Sequence, residues 1–261
     1  MDKLTKFKSE CSMCRGFCCR ALFFFKSDGF PEDKAAGKNC RHLMKDYRCD
    51  IHEQLKERQL KGCLGYDCLG AGVKTTLFKA DEKVLFDVFT IMEQLHEILW
   101  YLFIGQEVVK NKELRHQLWL KYQMIEALSE LPVSQILNLD LAHYRQLVAP
   151  LLQLTYQEVN LENKVTLLKA KKKMGRLDLM GRDLHSLNLQ GQDFKGAFLI
   201  GANLSNCDLT GVNFLGSDVR DMNIRGSDLS ASLFLTQGQI NACHGDQLTK
   251  LPKYLERPKH W

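Results

Sequence analysis

The chain has 261 residues, of which 45% are hydrophobic and 26% charged, and its net charge is +5. This composition is typical of a globular protein with room for more than one domain. The longest nearly uncharged apolar stretch, Ile98–Gly105, is far shorter than the roughly 20 residues that cross a bilayer, so we expect no membrane association. The mild charge and the absence of a basic patch interleaved with aromatic residues argue against nucleic acid as a partner.

The N-terminal quarter of the chain is rich in cysteine, in the order C-x2-C-x3-C-C, C-x8-C, C-x4-C. The eight residues are Cys11, Cys14, Cys18, Cys19, Cys40, Cys49, Cys63 and Cys68. Short turns that place thiols side by side are typical of sites for a soft cation or an iron–sulfur cluster. No apolar signal segment precedes the first cysteine, so we expect a reducing, cytoplasmic location and a metal rather than disulfides.

The thiols alone leave the kind and number of metals open. They suit two four-thiolate zinc sites, a two-metal cluster with bridging sulfur, or one four-cysteine iron–sulfur cluster with the other thiols structural or redox-active. Adjacent Cys18 and Cys19 diverge in direction, which predicts that they serve different sites or faces. A segment so poor in aliphatic residues is expected to need its metal in order to fold. His42 and His52 are predicted to support or pack around the site.

The cysteine spacing resembles that of a family named for its CxxCxxCC motif and held to chelate zinc or iron. The similarity spans residues 11–68 and keeps all eight cysteines, although Glu57 and Arg58 stand where the family usually has Arg-Pro. The resemblance implies that the eight cysteines are metal ligands and that the cofactor is zinc or iron. A lysine methylase of flagellin has a similar cysteine pattern. An iron-dependent redox or substrate-modifying enzyme is therefore the alternative to a structural zinc module, and enzymatic activity stays open.

The middle of the chain has helical spacing and few glycines. Apolar residues recur at threes and fours from Leu85 to Phe103, which predicts one long helix. Asn111 is expected to cap a second helix, and a third begins near Asp140, where Pro150 bends or ends it. Whether the chain resumes as a helix after residue 150 is left open.

No catalytic residue is assigned in this middle region. His96 and His116 have no cysteine or carboxylate three or four residues later that would form a ligand pair, and Glu93 and Glu97 fit surface charges. The chain also lacks a glycine-rich phosphate loop, a nucleophile elbow and a dinucleotide fingerprint.

Residues 177–236 read as twelve consecutive fives whose register never slips. Their central residues are all large and apolar: Leu179, Leu184, Leu189, Phe194, Leu199, Leu204, Leu209, Phe214, Val219, Ile224, Leu229 and Phe234. Asp or Asn often precedes this position, and a glycine often closes the unit. The pattern resembles the pentapeptide-repeat family, whose fold is a right-handed four-sided β-helix with four fives per coil. The resemblance implies three coils with a total length of about 15 Å.

The interior of this β-helix has its own periodicity. Phenylalanine recurs every 20 residues, which predicts three rings on one interior face. The first residue of each five points inward and is usually small, so Cys207 is expected to be a small buried residue rather than a ligand. The departures cluster in the first coil, where an end replaces ideal packing; they are Leu177, Arg182, Leu187, Gln192 and Met222.

Residues 237–261 are predicted to cover the unpaired backbone at the end of the last coil, with Cys243 and His244 packing there rather than binding metal. Residues 177–236 hold seven acidic and four basic residues. Three coils of this charge are too short and too weakly acidic to imitate DNA toward gyrase. A scaffold for a protein partner is therefore favoured, and a homo-oligomer stays open.

The predicted fold class is mixed. It comprises a Cys-rich, metal-stabilised module (1–75), an α-helical middle bundle (76–172), a short right-handed quadrilateral β-helix (173–236) and a C-terminal cap (237–261). The predicted function is that of a cytoplasmic protein whose cysteines hold zinc or an iron site and whose repeat binds a partner.

Overall fold

The computed structural model describes residues 3–161, 168 and 170–261, which form two compact units. The first unit contains Met1–Phe103 and Gln117–Pro150, and the second contains Ile104–His116 and Leu151–Trp261. Within the described ranges, no helix is both long and apolar enough to cross a membrane.

The regular elements are mostly helices. The α-helices are α1 (Phe17–Ala21), α2 (Lys61–Gly65), α3 (Ala71–Thr76), α4 (Glu82–Val108), α5 (Lys112–Leu128), α6 (Val133–Ile136), α7 (Leu141–Val159) and α8 (Gln237–Asn241). The strands are β1 (Lys172–Lys173) and β2 (Arg176–Leu177), which form an antiparallel pair. Short 3₁₀ turns occur at Lys3–Phe7, Cys11–Met13, Lys26–Asp28 and His52–Gln54.

The core of the first unit is built on α4. The predicted apolar stripe of this helix is confirmed, since its side chains at threes and fours are buried. Phe7 meets Trp100 edge-on at 5.2 Å between ring centroids, and Phe17 stacks on Phe89 at 5.5 Å. These aromatic contacts pack the N-terminal segment against α4.

The predicted cap at Asn111 is present, but one predicted helix end is not. The side chains of Asn111 and Asp140 each accept a hydrogen bond of 3.0 Å from the backbone N–H three residues later. Pro150 lies inside α7, which continues to Val159. The expectation that Pro150 could end this helix is therefore wrong. Proline removes one backbone donor, but Val148 and Leu151 on either side of it are buried, and their burial offsets that loss.

The repeat of the second unit winds as a four-sided coil. Parallel backbone bridges join residues 20 positions apart, as in the column Asp183, Asn203 and Asn223. Four fives therefore complete one turn, as predicted. Each face contributes single bridged residues rather than long strands, so β1–β2 is the only extended strand pair in the part of the chain that the structure describes.

The interior of the coil follows the position of each residue in its five. All twelve central residues are at most 2% exposed. The rings of Phe194 and Phe214 lie 5.9 Å apart, and Phe234 is fully buried one coil later, as the 20-residue spacing predicts. Cys207 is buried, and its Sγ donates to the carbonyl of Leu184 at 3.2 Å, which confirms its packing role.

The C-terminal tail continues the coil and covers its last turn. Gln239 of α8 donates from its side chain to the carbonyls of Phe214 and Ser217, at 3.1 and 3.0 Å. His244 forms a parallel bridge with Asn223 and so extends the same column of bridges beyond the last complete coil. These contacts satisfy backbone groups that an open end would leave unpaired.

The last residues of the chain hold this tail in place through hydrogen bonds and packing. The indole N–H of Trp261 donates to the carbonyl of Cys243 at 3.0 Å, and the ring of His260 contacts the carbonyl of Asn241 at 2.9 Å. The Trp261 ring lies directly against Gly245, where a Cβ atom would clash with it. Cys243 is buried, so its predicted packing role is confirmed.

Candidate metal centre

The first group of thiols lies between the Cys11–Met13 turn and α3. Gly72 of α3 has no side chain at the point where two thiols approach: a Cβ atom there would lie 2.7 Å from Cys14 Sγ and 3.7 Å from Cys68 Sγ. Ser9 holds Cys68 twice, through an Oγ–Sγ contact of 3.1 Å and by accepting the Cys68 N–H at 3.2 Å. The two thiols, 54 positions apart, therefore share one small space that only glycine leaves open.

Helix α1 presents the adjacent thiols of Cys18 and Cys19. The helix is fixed by its other face, where Phe17 is fully buried and the buried Arg20 forms an ion pair with Glu82. Cys18 Sγ donates to Cys19 Sγ at 3.9 Å. The short helix is thus an anchored platform for this pair of thiols.

The second group of thiols is assembled around a turn and an apolar cluster. The backbone N–H of Cys40 donates to the carbonyl of Cys19 at 2.8 Å. Leu43 donates from its backbone to the Cys40 carbonyl at 3.0 Å and pairs in antiparallel fashion with Cys49. Cys49 and Cys63 both pack against one buried cluster. The cluster consists of Ile51, Leu55 and Leu60.

Burial and mutual repulsion keep the thiols of this second group protonated. Burial, with smaller contributions from the charges of Cys19, Cys40 and Cys49, raises the pKa of Cys63 to about 12. Burial likewise raises the pKa values of Cys40 and Cys49. A metal that binds here must displace these protons, so its affinity will depend on pH.

Burial also raises the pKa of a thiol in the first group, in the turn Cys11–Met13. Burial raises the pKa of Cys11 to about 11, with further contributions from Cys68 and Cys14. The hydrogen bond between Cys18 and Cys19 raises the pKa of Cys18, the donor, and lowers that of Cys19, the acceptor. Cys19 is therefore the thiol of this pair that gives up its proton first.

The donor set fits a thiophilic metal, although the side chains do not close around one. All ten cysteines lie within the described residues and are free thiols. In those same residues, no three or more His, Cys, Asp or Glu side chains are gathered in an arrangement that could hold a metal ion. His42 is engaged at both ring nitrogens, by Asp50 at 2.9 Å and Arg41 at 3.2 Å, which fits the predicted supporting role. The ligand role of the eight cysteines stays a prediction.

Two polar groups next to the cysteine segment, one half-buried and one buried, were missed from the sequence. Glu93 accepts a hydrogen bond from the hydroxyl of Tyr66, and burial raises its pKa to about 7. Glu93 is thus half-buried and hydrogen-bonded rather than a fully exposed surface charge. His96 is 1% exposed, and its Nδ1–H donates to the carbonyl of Leu69 at 2.6 Å. Its position four residues after the buried Met92 is the helical signal that would have found it.

Comparison with known proteins identifies the family. The pentapeptide-repeat pattern matches residues 188–226 in eight copies. The uncharacterized protein YybG of Bacillus subtilis (strain 168) is 46% identical over 263 aligned residues, which cover 97% of this chain and 94% of YybG. This chain is a pentapeptide-repeat protein of the YybG family.

Pentapeptide repeats imply a right-handed quadrilateral β-helix, which agrees with the 20-residue bridges of the coil. The crystal structure of a pentapeptide repeat protein (Rfr23) from the cyanobacterium Cyanothece 51142 is 25% identical, with a TM-score of 0.24; the match covers 31% of this chain and 67% of that one. The repeat match at 188–226 lies outside the cysteine segment, so that segment is interpreted from its own residues.

Proposed function

We propose that this pentapeptide-repeat protein binds zinc or iron through its N-terminal thiols and uses its β-helix as a scaffold for a protein partner in the cytoplasm. The proposed ligands are Cys11, Cys14, Cys18, Cys19, Cys40, Cys49, Cys63 and Cys68. One observation carries the proposal: all eight thiols are free, and specific contacts bring cysteines that are distant in sequence into common neighbourhoods.

A bound metal would offset the cost of ionising the thiols of this segment. The eight thiols are hard to ionise, because burial disfavours the thiolates and neighbouring thiolates repel one another; both effects raise the pKa values of Cys11 and Cys63. A divalent cation attracts the same thiolates and supplies folding energy that a small apolar cluster does not. Zinc and iron both suit such a soft donor set.

The β-helix offers a rigid polar surface for a partner. On one face, the side-chain amide of Asn203 donates to Asp183 and that of Asn223 donates to Asn203, each at 2.9 Å. Such a ladder fixes outward-facing polar groups in register with the coils. This property supports a scaffold role, since a preorganised surface loses little entropy when a partner binds.

The test is elemental analysis and visible spectroscopy of the full chain, purified without oxygen and without a metal-binding tag. We expect at least one metal per chain, and we expect Cys14→Ser and Cys63→Ser to lower the metal content while the β-helix stays folded. Colourless zinc protein supports a structural module, whereas iron with acid-labile sulfide supports a redox site. Cys207→Ser is the matched control, because this buried thiol lies in the β-helix. A metal-free wild type whose eight N-terminal thiols all react with an alkylating agent would refute the proposal.

A further inference from the structure

We infer that the eight thiols form two separate four-thiolate sites that meet at Cys18 and Cys19. The first site comprises Cys11, Cys14, Cys18 and Cys68, and the second comprises Cys19, Cys40, Cys49 and Cys63. The inference rests on the proposed metal-binding function and extends it by assigning each thiol to one of two metals.

The first site is joined across the largest sequence separation. Cys14 and Cys68 approach the same point above Gly72, and the Cys14 N–H donates to the Cys11 carbonyl at 3.3 Å, so Cys11 belongs to the same turn. Cys18 is electrostatically coupled to Cys11 and Cys68. The turn, α1 and the segment just before α3 therefore supply the four members.

The second site is joined by backbone contacts and a shared apolar floor. Cys19 and Cys40 are linked by a backbone hydrogen bond, and the turn from Cys40 returns to Cys49 through the Leu43 pairing. Cys49 and Cys63 pack on one cluster. Each consecutive pair of this set thus has a contact of its own that involves no member of the first set.

The junction lies in α1, where two adjacent residues belong to different sets. The side chains of consecutive helical residues diverge by about 100°, so Cys18 and Cys19 can face different metals although their Sγ atoms are only 3.9 Å apart. The charged surroundings of the two sets also differ. Lys34 is coupled electrostatically to Cys40 and Cys19 of the second set and more weakly to Cys18 at the junction, whereas Asp67 is coupled to Cys11 and Cys68 of the first set. Two sites in different fields bind metal with different strength.

The first experiment compares two double variants that each remove two thiols from the full chain. Cys49→Ser/Cys63→Ser damages only the second site, so we expect it to keep about half of the wild-type metal. Cys63→Ser/Cys68→Ser damages both sites, so we expect it to keep almost none. Equal metal content in the two variants would overturn the assignment, whereas a metal-free wild type would overturn the proposed function itself.

A second experiment uses the wild type and so does not depend on whether the variants fold. The metal-loaded protein is exposed to increasing chelator, pulsed with an alkylating agent and analysed as intact chains by mass spectrometry. We expect partly labelled chains to carry four labels, all on one of the two sets. Partly labelled chains with mixed positions would overturn the assignment, as would labelling of all eight thiols without an intermediate, which indicates one shared cluster.

Discussion

Protonation of His96 is predicted to destabilise the first unit in acid. This side chain is 1% exposed, and burial lowers its pKa from the ordinary value of 6.5 to about 4. Its Nδ1–H donates to the carbonyl of Leu69, the residue after Cys68. Nε2 has no hydrogen-bond partner among the described residues, so a second proton on the ring would lie buried without an acceptor.

The size of the effect follows from the two pKa values. The unfolded chain binds a proton at 6.5 and the folded chain only at about 4, so protons favour the unfolded state between these values. The contribution of His96 is fully present above pH 6.5 and is lost as the pH falls toward 4. Because one pKa unit corresponds to about 1.4 kcal/mol, the complete loss is about 3 kcal/mol, and about 2 kcal/mol of it has occurred at pH 5.

Glu93, one helical turn before His96, acts in the opposite direction. Burial raises its pKa from 4.5 to about 7, so the folded state holds a proton that the unfolded state releases. Its carboxyl group therefore costs stability as the pH rises from 4.5 to 7. The two slopes overlap between pH 4.5 and 6.5 and largely cancel in the wild type.

The assay must therefore remove Glu93 first. We would measure the free energy of unfolding by urea between pH 4.5 and 7.5 for Glu93→Gln and for Glu93→Gln/His96→Gln, where glutamine keeps a donor for the Leu69 carbonyl. Loss of metal in acid affects both proteins alike, so their difference isolates His96. From pH 7 to 5 we expect Glu93→Gln to lose about 2 kcal/mol more than the double variant. A difference that does not change with pH would refute the reasoning.

Three further predictions concern single packing contacts. Phe214→Ala should destabilise the β-helix by about 3–5 kcal/mol, because it empties a fully buried position, and should leave the metal content unchanged; urea unfolding and elemental analysis check both. Gln239→Ala should cost about 1–2 kcal/mol in the same unfolding assay, because it leaves the Ser217 carbonyl without a donor among the described residues, whereas the Phe214 carbonyl keeps the Ser217 N–H. Gly72→Ala should lower metal content, because its methyl group would occupy the space shared by Cys14 and Cys68; undiminished metal would contradict this.

The β-helix was predictable from sequence because its geometry is local and repeated. The position of a residue in its five decides its direction, so the buried column of Phe194 and Phe214 follows from spacing alone. The end effects were predictable for the same reason: Arg182 and Leu187, which break the rule of small inward residues, are exposed in the first coil. The departures at Gln192 and Met222 are buried instead, and spacing alone does not explain them.

The cysteine segment was less predictable, since its contacts join residues that no motif connects. Cysteine spacing indicates the kind of ligand. It does not indicate Gly72, which leaves room for Cys14 and Cys68 to approach each other, or Ser9, which contacts Cys68. The burial of Glu93 likewise depends on Tyr66, a residue distant in sequence. The divisions at residues 75, 172 and 236 stay predictions, because composition marks a change of segment and not a limit of packing.

The two kinds of structure in this protein are stabilised by different physical means, and this difference gives the metal a specific role. Each coil of the β-helix repeats the same burial and the same backbone pairing, so its stability adds up coil by coil without a ligand. The cysteine segment packs on α4 and around the small cluster of Ile51, Leu55 and Leu60, and burial opposes ionisation of most of its thiols. A metal that binds the thiolates stabilises their ionised form and so offsets this unfavourable effect. The proposed metal therefore stabilises the N-terminal segment, whereas repeated burial and backbone pairing stabilise the β-helix.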